Sequence, residues 1–175
     1  LPNIAEGDEL AINVGSNCYF TSDISNLTWL PDQPYTAGGW GYIGGKAHST
    51  TSEIYNTLDG PIYQTWREGN WSYKIDAPIG EYEIELLIAD VTKPAAQLAN
   101  LLNKNKEEKH SGETRFHISI CGKQVETNFS PIDGGKHRTA FKRRYIIRNE
   151  HDHIVISAGA VKGEPFLAGI KVRKL

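Results

Sequence analysis

One segment constrains the fold of this chain more than any other: residues 81–89 alternate between apolar and acidic side chains. The apolar positions are Tyr82, Ile84, Leu86 and Ile88, and the acidic positions between them are Glu81, Glu83 and Glu85. Successive side chains of a β-strand point to opposite faces, so a period of two residues predicts a strand with one buried face. Tyr82 is therefore expected in the core.

Similar short segments recur along the chain and are separated by turn-forming residues. The predicted strands cover residues 10–15, 54–58, 62–66, 71–76, 115–121, 124–129, 141–147, 153–157 and 167–172. A turn is predicted at Asp59, Gly60 and Pro61, and a two-residue hairpin turn at Gly122 and Lys123. Successive strands without intervening helices predict an all-β fold, either an antiparallel sandwich or a barrel.

One segment interrupts this pattern of strands. Residues 94–102 have leucines at helical spacing, with Thr92 suited to the N-cap and Pro94 to the first turn. This predicts one short helix inserted between two strands, followed by a charged segment at 103–112. Residues 17–51 carry rings but no sustained period, and they are interpreted as a long irregular segment.

The size of the chain, 175 residues, fits one domain. Residues 1–9 are interpreted as a linker remnant and residues 10–175 as the domain. A net charge of −2 and the lack of a long apolar run argue against nucleic acid and membrane as partners. The basic run at 142–144, followed by Arg148, is interpreted as the solvated face of a strand.

The chain contains no methionine and starts without a recognisable signal peptide, so we expect a fragment cut from a longer protein. Its two cysteines, Cys18 and Cys121, are too few for a disulfide framework. Buried free thiols are the favoured interpretation, and a single bridge between the two remains open.

No catalytic motif stands out. Carboxylates are numerous, but no motif singles out the facing pair that glycoside hydrolysis needs, and a Gly-x-Ser-x-Gly elbow is absent. His151 and His153 resemble metal ligands, but the turn composition around Asp152 favours a hairpin tip. We predict a domain that is not itself an enzyme and carries no cofactor. A structural calcium ion remains open, with no ligands identified.

Aromatic residues are dense, with four tryptophans and eight tyrosines. Sugars present apolar C–H faces and rims of hydroxyls, so their sites combine ring faces with planar hydrogen-bonding groups. Trp40 and Tyr42 lie in a glycine-rich segment, where rings are less often part of a core. Trp66 has two interpretations, a sugar-binding ring or a lid over the edge of a sandwich.

Several motifs in order resemble the malectin and malectin-like carbohydrate-binding family. They are INVG at 12–15, IYQTWR at 62–67, PIGEYEIELLIAD at 78–90, RFHISICG at 115–122 and AGIKV at 168–172. A closer resemblance is to C-terminal modules of bacterial family 2 glycoside hydrolases of the β-galactosidase type from gut Bacteroidetes, and it rests on residues 17–45, residues 96–100 and the end at Lys174 and Leu175. The resemblance implies a jelly-roll-like antiparallel β-sandwich that binds carbohydrate without cleaving it.

The resemblance also implies a binding site and a setting. The residues carried over to the site are Trp40, Tyr42, Tyr63, Trp66, Arg67 and Glu164. The family's tyrosine–phenylalanine pair is replaced by Thr92 and Lys93, so that stacking platform is absent. The expected function is a noncatalytic module of a periplasmic or extracellular glycoside hydrolase, with an oligosaccharide and the parent's catalytic domain as partners. The alternative is a structural domain that packs on that catalytic domain without a ligand.

Overall fold

A computed structural model describes residues 7–91, 114–131 and 137–175 of the chain. The predicted helix at 94–102 lies outside these residues, as does most of the predicted linker remnant. Glu9, assigned to that remnant, is instead the first residue of a strand. Its backbone pairs with Arg173 near the other end of the chain, so residues 7–9 are part of the domain.

The first of two sheets has six strands. They are β1 (Glu9–Asn13), β2 (Phe20–Thr21), β3 (Thr28–Pro31), β6 (Gly80–Ala89), β9 (Ala140–Asn149) and β12 (Gly169–Lys174). Their order is β2-β3-β1-β12-β6-β9. All neighbours are antiparallel except β1 and β3, which are parallel.

The second sheet also has six strands. They are β4 (Trp40–Ser49), β5 (Thr65–Asp76), β7 (Arg115–Ile120), β8 (Lys123–Phe129), β10 (His153–Lys162) and β11 (Phe166–Leu167). β5 pairs with β4 along one edge and with β10 and β11 along the other, and β7 and β8 follow β10. The predicted all-β sandwich is confirmed.

The core lies between the sheets, and the alternation in β6 shows how it forms. Tyr82, Ile84 and Leu86 are fully buried, as predicted, in one cluster with the inward residues of both sheets. The opposite face of β6 is less exposed than its acidic residues predict, because Glu85 and Leu87 are also buried. The polypeptide between β4 and β5 covers this outer face of the first sheet.

That covering polypeptide corrects one prediction. Residues 60–63 form a short helix, α1 (Gly60–Tyr63), so the expected turn with strands on both sides is wrong. Pro61 fits the first turn of a helix because its fixed φ is already helical and its missing N–H is not needed there. Ile62 lies against the outer face of the first sheet, close to Gly169.

The glycine-rich segment 38–45 is also more regular than predicted. From Trp40 onward it forms β4, which pairs with β5 through an irregularity between Gly44 and Lys46. Gly44 has φ +75°, and a Cβ atom there would lie 2.4 Å from the backbone oxygen of Asn70. Glycine is therefore required for close approach of two strands rather than for a flexible loop.

Two smaller expectations also change. The hairpin turn between β7 and β8 falls on Cys121 and Gly122, one residue earlier than predicted. Both have positive φ, 49° and 76°, as a type I′ turn requires. The two cysteines are free, but neither is fully buried: Cys18 is exposed because its segment is a loop, and Cys121 is half-buried. Within the described residues, no helix is long and apolar enough to cross a membrane.

Candidate functional site

A surface cleft of about 490 Å³ opens where β4, β5 and the segment before β11 meet. We call it the Glu164 cleft; it is lined by Gly45, Lys46, His48, Glu68, Gly69, Asn70 and Glu164. Strand pairing places Lys46 opposite Glu68. Gly69, with φ +98°, donates its N–H to the carbonyl of Pro165 at 2.9 Å and so holds Glu164 beside β5.

Trp66 lies directly behind this cleft. Its indole Nε1 donates to Glu68 Oε2 at 3.1 Å, which fixes that carboxylate at the cleft wall. The imidazole of His48 stacks on the indole, with ring centroids 5.7 Å apart and an interplanar angle of 17°. Because His48 covers it, Trp66 is only 7% exposed, and the outer ring of the pair is His48. Trp66 therefore combines parts of both interpretations: it is covered, as a lid residue would be, and it supports the ring of His48 at the cleft.

Arg67 supports the cleft from inside instead of lining it. Its guanidinium is buried and bonds Asp32 Oδ2 through Nη2 at 2.9 Å and Nε at 3.1 Å. Nη1 donates to the carbonyls of Gly44 and Gly45, at 3.3 and 3.2 Å, and holds the irregular part of β4 in place. Burial works against the charge of Arg67, but the hydrogen bonds and charge of Asp32 outweigh it and raise the pKa.

Tyr42 is also part of this support. The guanidinium of Arg67 lies 3.3 Å from the centroid of its ring, a cation–π contact. The ring is half-buried, and Arg67 covers one of its faces. Neighbouring residues of β5 therefore have different roles: Trp66 and Glu68 help to form the Glu164 cleft, whereas Arg67 stabilises the strands behind it.

Two residues predicted for the site are placed elsewhere. Trp40 is 6% exposed because it belongs to β4, paired with Ile75, instead of a loop. Tyr63 is 2% exposed and lies on α1, against the outer face of the first sheet. Burial, and then the charges of Glu85 and Asp59, raise the pKa of Tyr63. A sugar-stacking role for either ring does not fit this burial.

Of the six predicted site residues, the structure brings Glu164 and Trp66 to one cleft. Sequence reasoning missed Lys46, His48 and Asn70 as its lining. Lys46 and His48 were hidden because residues 40–49 were not identified as a strand, and only a strand paired with β5 places them opposite Glu68 and Trp66. Asn70 lies on β5 itself, at a position that the sequence did not assign to a strand. Recognising the pairing of these two segments would have revealed them.

A second cleft, of about 760 Å³, lies on the outer face of the first sheet. We call it the Leu58 cleft; its lining includes Ile24, Leu27, Trp29, Leu58, Asp59, Glu85, Lys142 and Lys171. Leu58 and Ile24 are 87% and 63% exposed at its rim.

The Leu58 cleft has a charged floor. The buried carboxylate of Glu85 lies 3.3 Å from Lys142 Nζ and 3.7 Å from Lys171 Nζ. Burial disfavours the charged form of Glu85, but these ammonium groups outweigh burial and lower the pKa of its carboxyl.

The described residues contain no group of three or more His, Cys, Asp or Glu side chains placed to hold a metal ion. His151 lies in the short connection between β9 and β10, which belong to different sheets, so the predicted hairpin tip is wrong and the segment instead carries the chain from one sheet to the other. There His153 Nδ1 lies 2.6 Å from Asp152 Oδ1.

The family follows from a comparison with known proteins. Residues 9–170 match the family model of the malectin domain. This chain is a malectin domain. The match covers every described strand from β1 into β12. Four of the five motifs that suggested the family lie within the matched range, and the fifth, at 168–172, begins within it.

Solved structures similar to this malectin domain include β-glucuronidases of Bacteroides uniformis. One is 46% identical with a TM-score of 0.82; another, β-glucuronidase 2 with a covalently bound cyclophellitol-6-carboxylate aziridine, is 45% identical with the same score. The alignments cover 95% of this chain and 18% of each enzyme chain. This domain therefore corresponds to a small part of those enzymes.

More distant matches include the ectodomain of the receptor-like kinase ANX1 from Arabidopsis thaliana. It is 17% identical with a TM-score of 0.63, covering 93% of this chain and 47% of that chain, so the likeness concerns the fold alone. A curated relative is the kinesin-like protein KIN-14E of Oryza sativa subsp. japonica, 28% identical over 136 residues. That alignment covers 76% of this chain and 12% of the relative.

Proposed function

We propose that this malectin domain binds a saccharide in the Glu164 cleft without cleaving it. The observation that carries the proposal is the lining itself: two carboxylates, an ammonium, an amide and an imidazole stacked on an indole share one open cleft. Carboxylates accept hydrogen bonds from sugar hydroxyls, and Lys46 and Asn70 donate to them. The outer face of His48 offers a flat surface for the C–H face of a pyranose.

The setting we propose is a larger glycoside hydrolase, to which this domain adds substrate contact. Support comes from the β-glucuronidase chains, of which the matched region is 18%. The enzymes named in those structures are β-glucuronidases, and a parent of the β-galactosidase type stays a prediction. We further propose a periplasmic or extracellular parent, which fractionation of cells probed with an antibody against this domain tests.

Calorimetric titration of the domain against a panel of neutral and acidic oligosaccharides tests saccharide binding. We expect dissociation constants between ~1 μM and ~1 mM, about −8 to −4 kcal/mol. Glu164→Gln removes one charged acceptor without changing shape, and His48→Ala removes the outer ring. Each should weaken binding at least about fivefold, roughly 1 kcal/mol. Glu81→Gln, an exposed glutamate on β6, is the matched control and should change nothing. If no saccharide binds, the proposal is wrong.

The same cleft requires a test for catalysis. Glu68 and Glu164 both line it, and a pair of carboxylates around one cleft is what glycoside hydrolases use. Against that role, Glu68 is engaged by the indole N–H of Trp66. Incubating the domain with aryl glycosides should release no phenol. Release that Glu164→Gln abolishes would overturn the noncatalytic assignment.

A second candidate function is packing on the parent's catalytic domain, favoured by the exposed apolar rim of the Leu58 cleft. The side chains of Leu58 and Ile24 are exposed to water, and an exposed apolar patch of this kind is typical of a surface that another domain covers. Replacing both with serine in the parent enzyme should lower its thermal stability while leaving saccharide binding at the Glu164 cleft intact. An unchanged parent would exclude this function.

A further inference from the structure

The basic run that the sequence assigned to a solvated strand face lies on β9, at the edge of the first sheet. β9 pairs with β6 along one side, and its first residue is bridged to the segment around Tyr55. Beyond that point, within the described residues, residues 142–148 have no strand on their other side. Alternate N–H and C=O groups of an antiparallel strand point to each side, so this stretch presents free backbone groups outward.

A cleft of about 600 Å³ runs along this free edge, between β9 and the hairpin that joins β7 to β8. We call it the β9 edge cleft; it is lined by Ile120, Cys121, Lys123, Val125, Arg144, Tyr145, Ile146, Ile147, Arg148 and Glu150. Five consecutive residues of β9 are in this lining, which is what a groove bounded by backbone requires. Ile146 is 69% exposed, so the groove is open.

The β9 edge cleft is cationic although the chain carries a net charge of −2. Three cations, Lys123, Arg144 and Arg148, face a single acid, Glu150. Arg144 is partly neutralised by Glu85 and by Glu83, at 3.4 and 3.7 Å.

Lys123 and Arg148 are less neutralised than Arg144. Within the described residues neither forms an ion pair, although Glu81 is the cross-strand neighbour of Arg148 on β6. The groove therefore favours an anionic occupant, and its free backbone favours one that is an extended polypeptide.

The side chains of β9 alternate and so specify the pattern of such a polypeptide. The outer face of β9 exposes Lys142, Arg144, Ile146 and Arg148, whereas the half-buried residues Arg143, Tyr145 and Ile147 are turned to the inner face. A strand added in register would place its own alternate residues beside each set, with Cβ atoms about 4.5–5.5 Å away. Acidic residues fit beside the three cations of the outer row. Apolar residues fit beside Tyr145 and Ile147 of the inner row, where the remaining cation, Arg143, is already paired with Glu126.

We propose that the free edge of β9 binds an extended acidic–apolar segment of another polypeptide as an added β-strand. The pattern already exists inside the domain: β6 carries Glu81, Glu83 and Glu85 alternating with apolar residues, and it pairs with the inner edge of β9 from Gly80↔Asn149 to Ala89↔Ala140. The proposal is that the outer edge accepts a strand of the same chemistry. It is independent of saccharide binding at the Glu164 cleft.

A peptide with the sequence of residues 81–87, EYEIELL, is a suitable probe because its pattern matches. Fluorescence anisotropy of the labelled peptide should show saturable binding to the full chain that weakens with salt. Replacing Arg144 and Arg148 together with glutamine should weaken it about two- to thirtyfold, the range expected for the loss of two exposed charge pairs. Arg173→Gln, on β12 of the same sheet face, is the matched control and should change affinity less than about twofold.

Two further arms separate strand addition from charge attraction. A peptide with its three glutamates replaced by lysine should not bind. Of two peptides N-methylated at alternate residues, one should bind and the other should not, because only one row of N–H groups faces β9. The proposal is overturned if the original and the lysine-substituted peptide bind equally, or if the two N-methylated peptides bind equally.

Amide resonances locate the bound peptide. In the labelled domain, shifts should be largest at residues 142–148. Shifts that reach β12 would show that the peptide replaces β6 in the sheet, which overturns addition at the free edge. Binding of a uronate or sulfated oligosaccharide at these residues, with no peptide binding, would assign the groove to glycans and equally overturn the proposal.

Discussion

The buried pair of Asp32 and Arg67 offers the sharpest test of how the scaffold holds the Glu164 cleft. Asp32 accepts from the backbone N–H of Gly15 at 2.8 Å, from Tyr73 Oη at 3.0 Å and from two guanidinium nitrogens of Arg67. Both side chains of the ion pair are almost fully buried. Replacing Arg67 with methionine keeps an unbranched apolar stem but removes the guanidinium, so the Asp32 carboxylate stays buried without its counter-charge.

The cost of this change can be bounded. Removing one partner of a buried ion pair typically destabilises a protein by about 3–5 kcal/mol, because the remaining charge is uncompensated. A domain of this size has a total stability of about 5–15 kcal/mol, so Arg67→Met should remove a large fraction of it. The midpoint of thermal unfolding should fall by roughly 6–20 °C, at about 2–4 °C per kcal/mol.

Urea denaturation followed by tryptophan fluorescence measures the free energy of unfolding. Arg173→Met is the control, since Arg173 pairs with Glu83 at 3.2 Å on an exposed face and should cost less than about 1 kcal/mol. Adding Asp32→Asn to Arg67→Met removes the stranded charge, so the double variant should cost less than the sum of the single variants. If Arg67→Met costs no more than Arg173→Met, the reasoning about this cluster is refuted.

Three other predictions concern single positions. Gly15→Ala should destabilise by more than about 2 kcal/mol in urea, because a Cβ atom would lie 2.4 Å from the backbone oxygen of Trp66 and φ is +76°. Glu85, whose pKa is lowered from 4.5, contributes stability above that pH and loses it as pH falls through the folded value. Glu85→Gln should therefore flatten the acid limb of a stability–pH profile, and an unchanged slope would contradict this. Trp71→Phe loses the bond to the carbonyl of Pro165 at 3.2 Å, should cost about 0.5–1.5 kcal/mol, and should weaken calorimetric saccharide binding by loosening the neighbouring cleft wall.

Much of the fold could be predicted from local pattern. The alternation in β6 and β7 indicated strands with one buried face, because side chains of a strand alternate whatever their partners are. Five motifs in order indicated the family, which the match over residues 9–170 confirms. The α1 helix was missed because residues 60–63 are too few to show a helical period, and β4 was missed because its glycines are typical of loops.

Tertiary structure alone decided which residues of the site meet. Trp66 and Arg67 are consecutive in β5, and the sequence made both of them candidates for a ligand. The structure separates them, because Arg67 finds Asp32 at a distance of 35 residues along the chain, whereas Trp66 stacks on His48 of β4. Such contacts follow from the register between distant strands.

The sequence by itself thus determined that the chain forms a β-sandwich of the malectin family. Local alternation and turn residues act within a few positions, so a linear sequence displays them. The linear sequence does not show which side chains become buried. Trp40 and Tyr63 are buried because their elements pack against the rest of the domain, and Lys46 and His48 line the cleft instead. Which side chain remains at a surface depends on what packs over it, and only the folded sheets decide that.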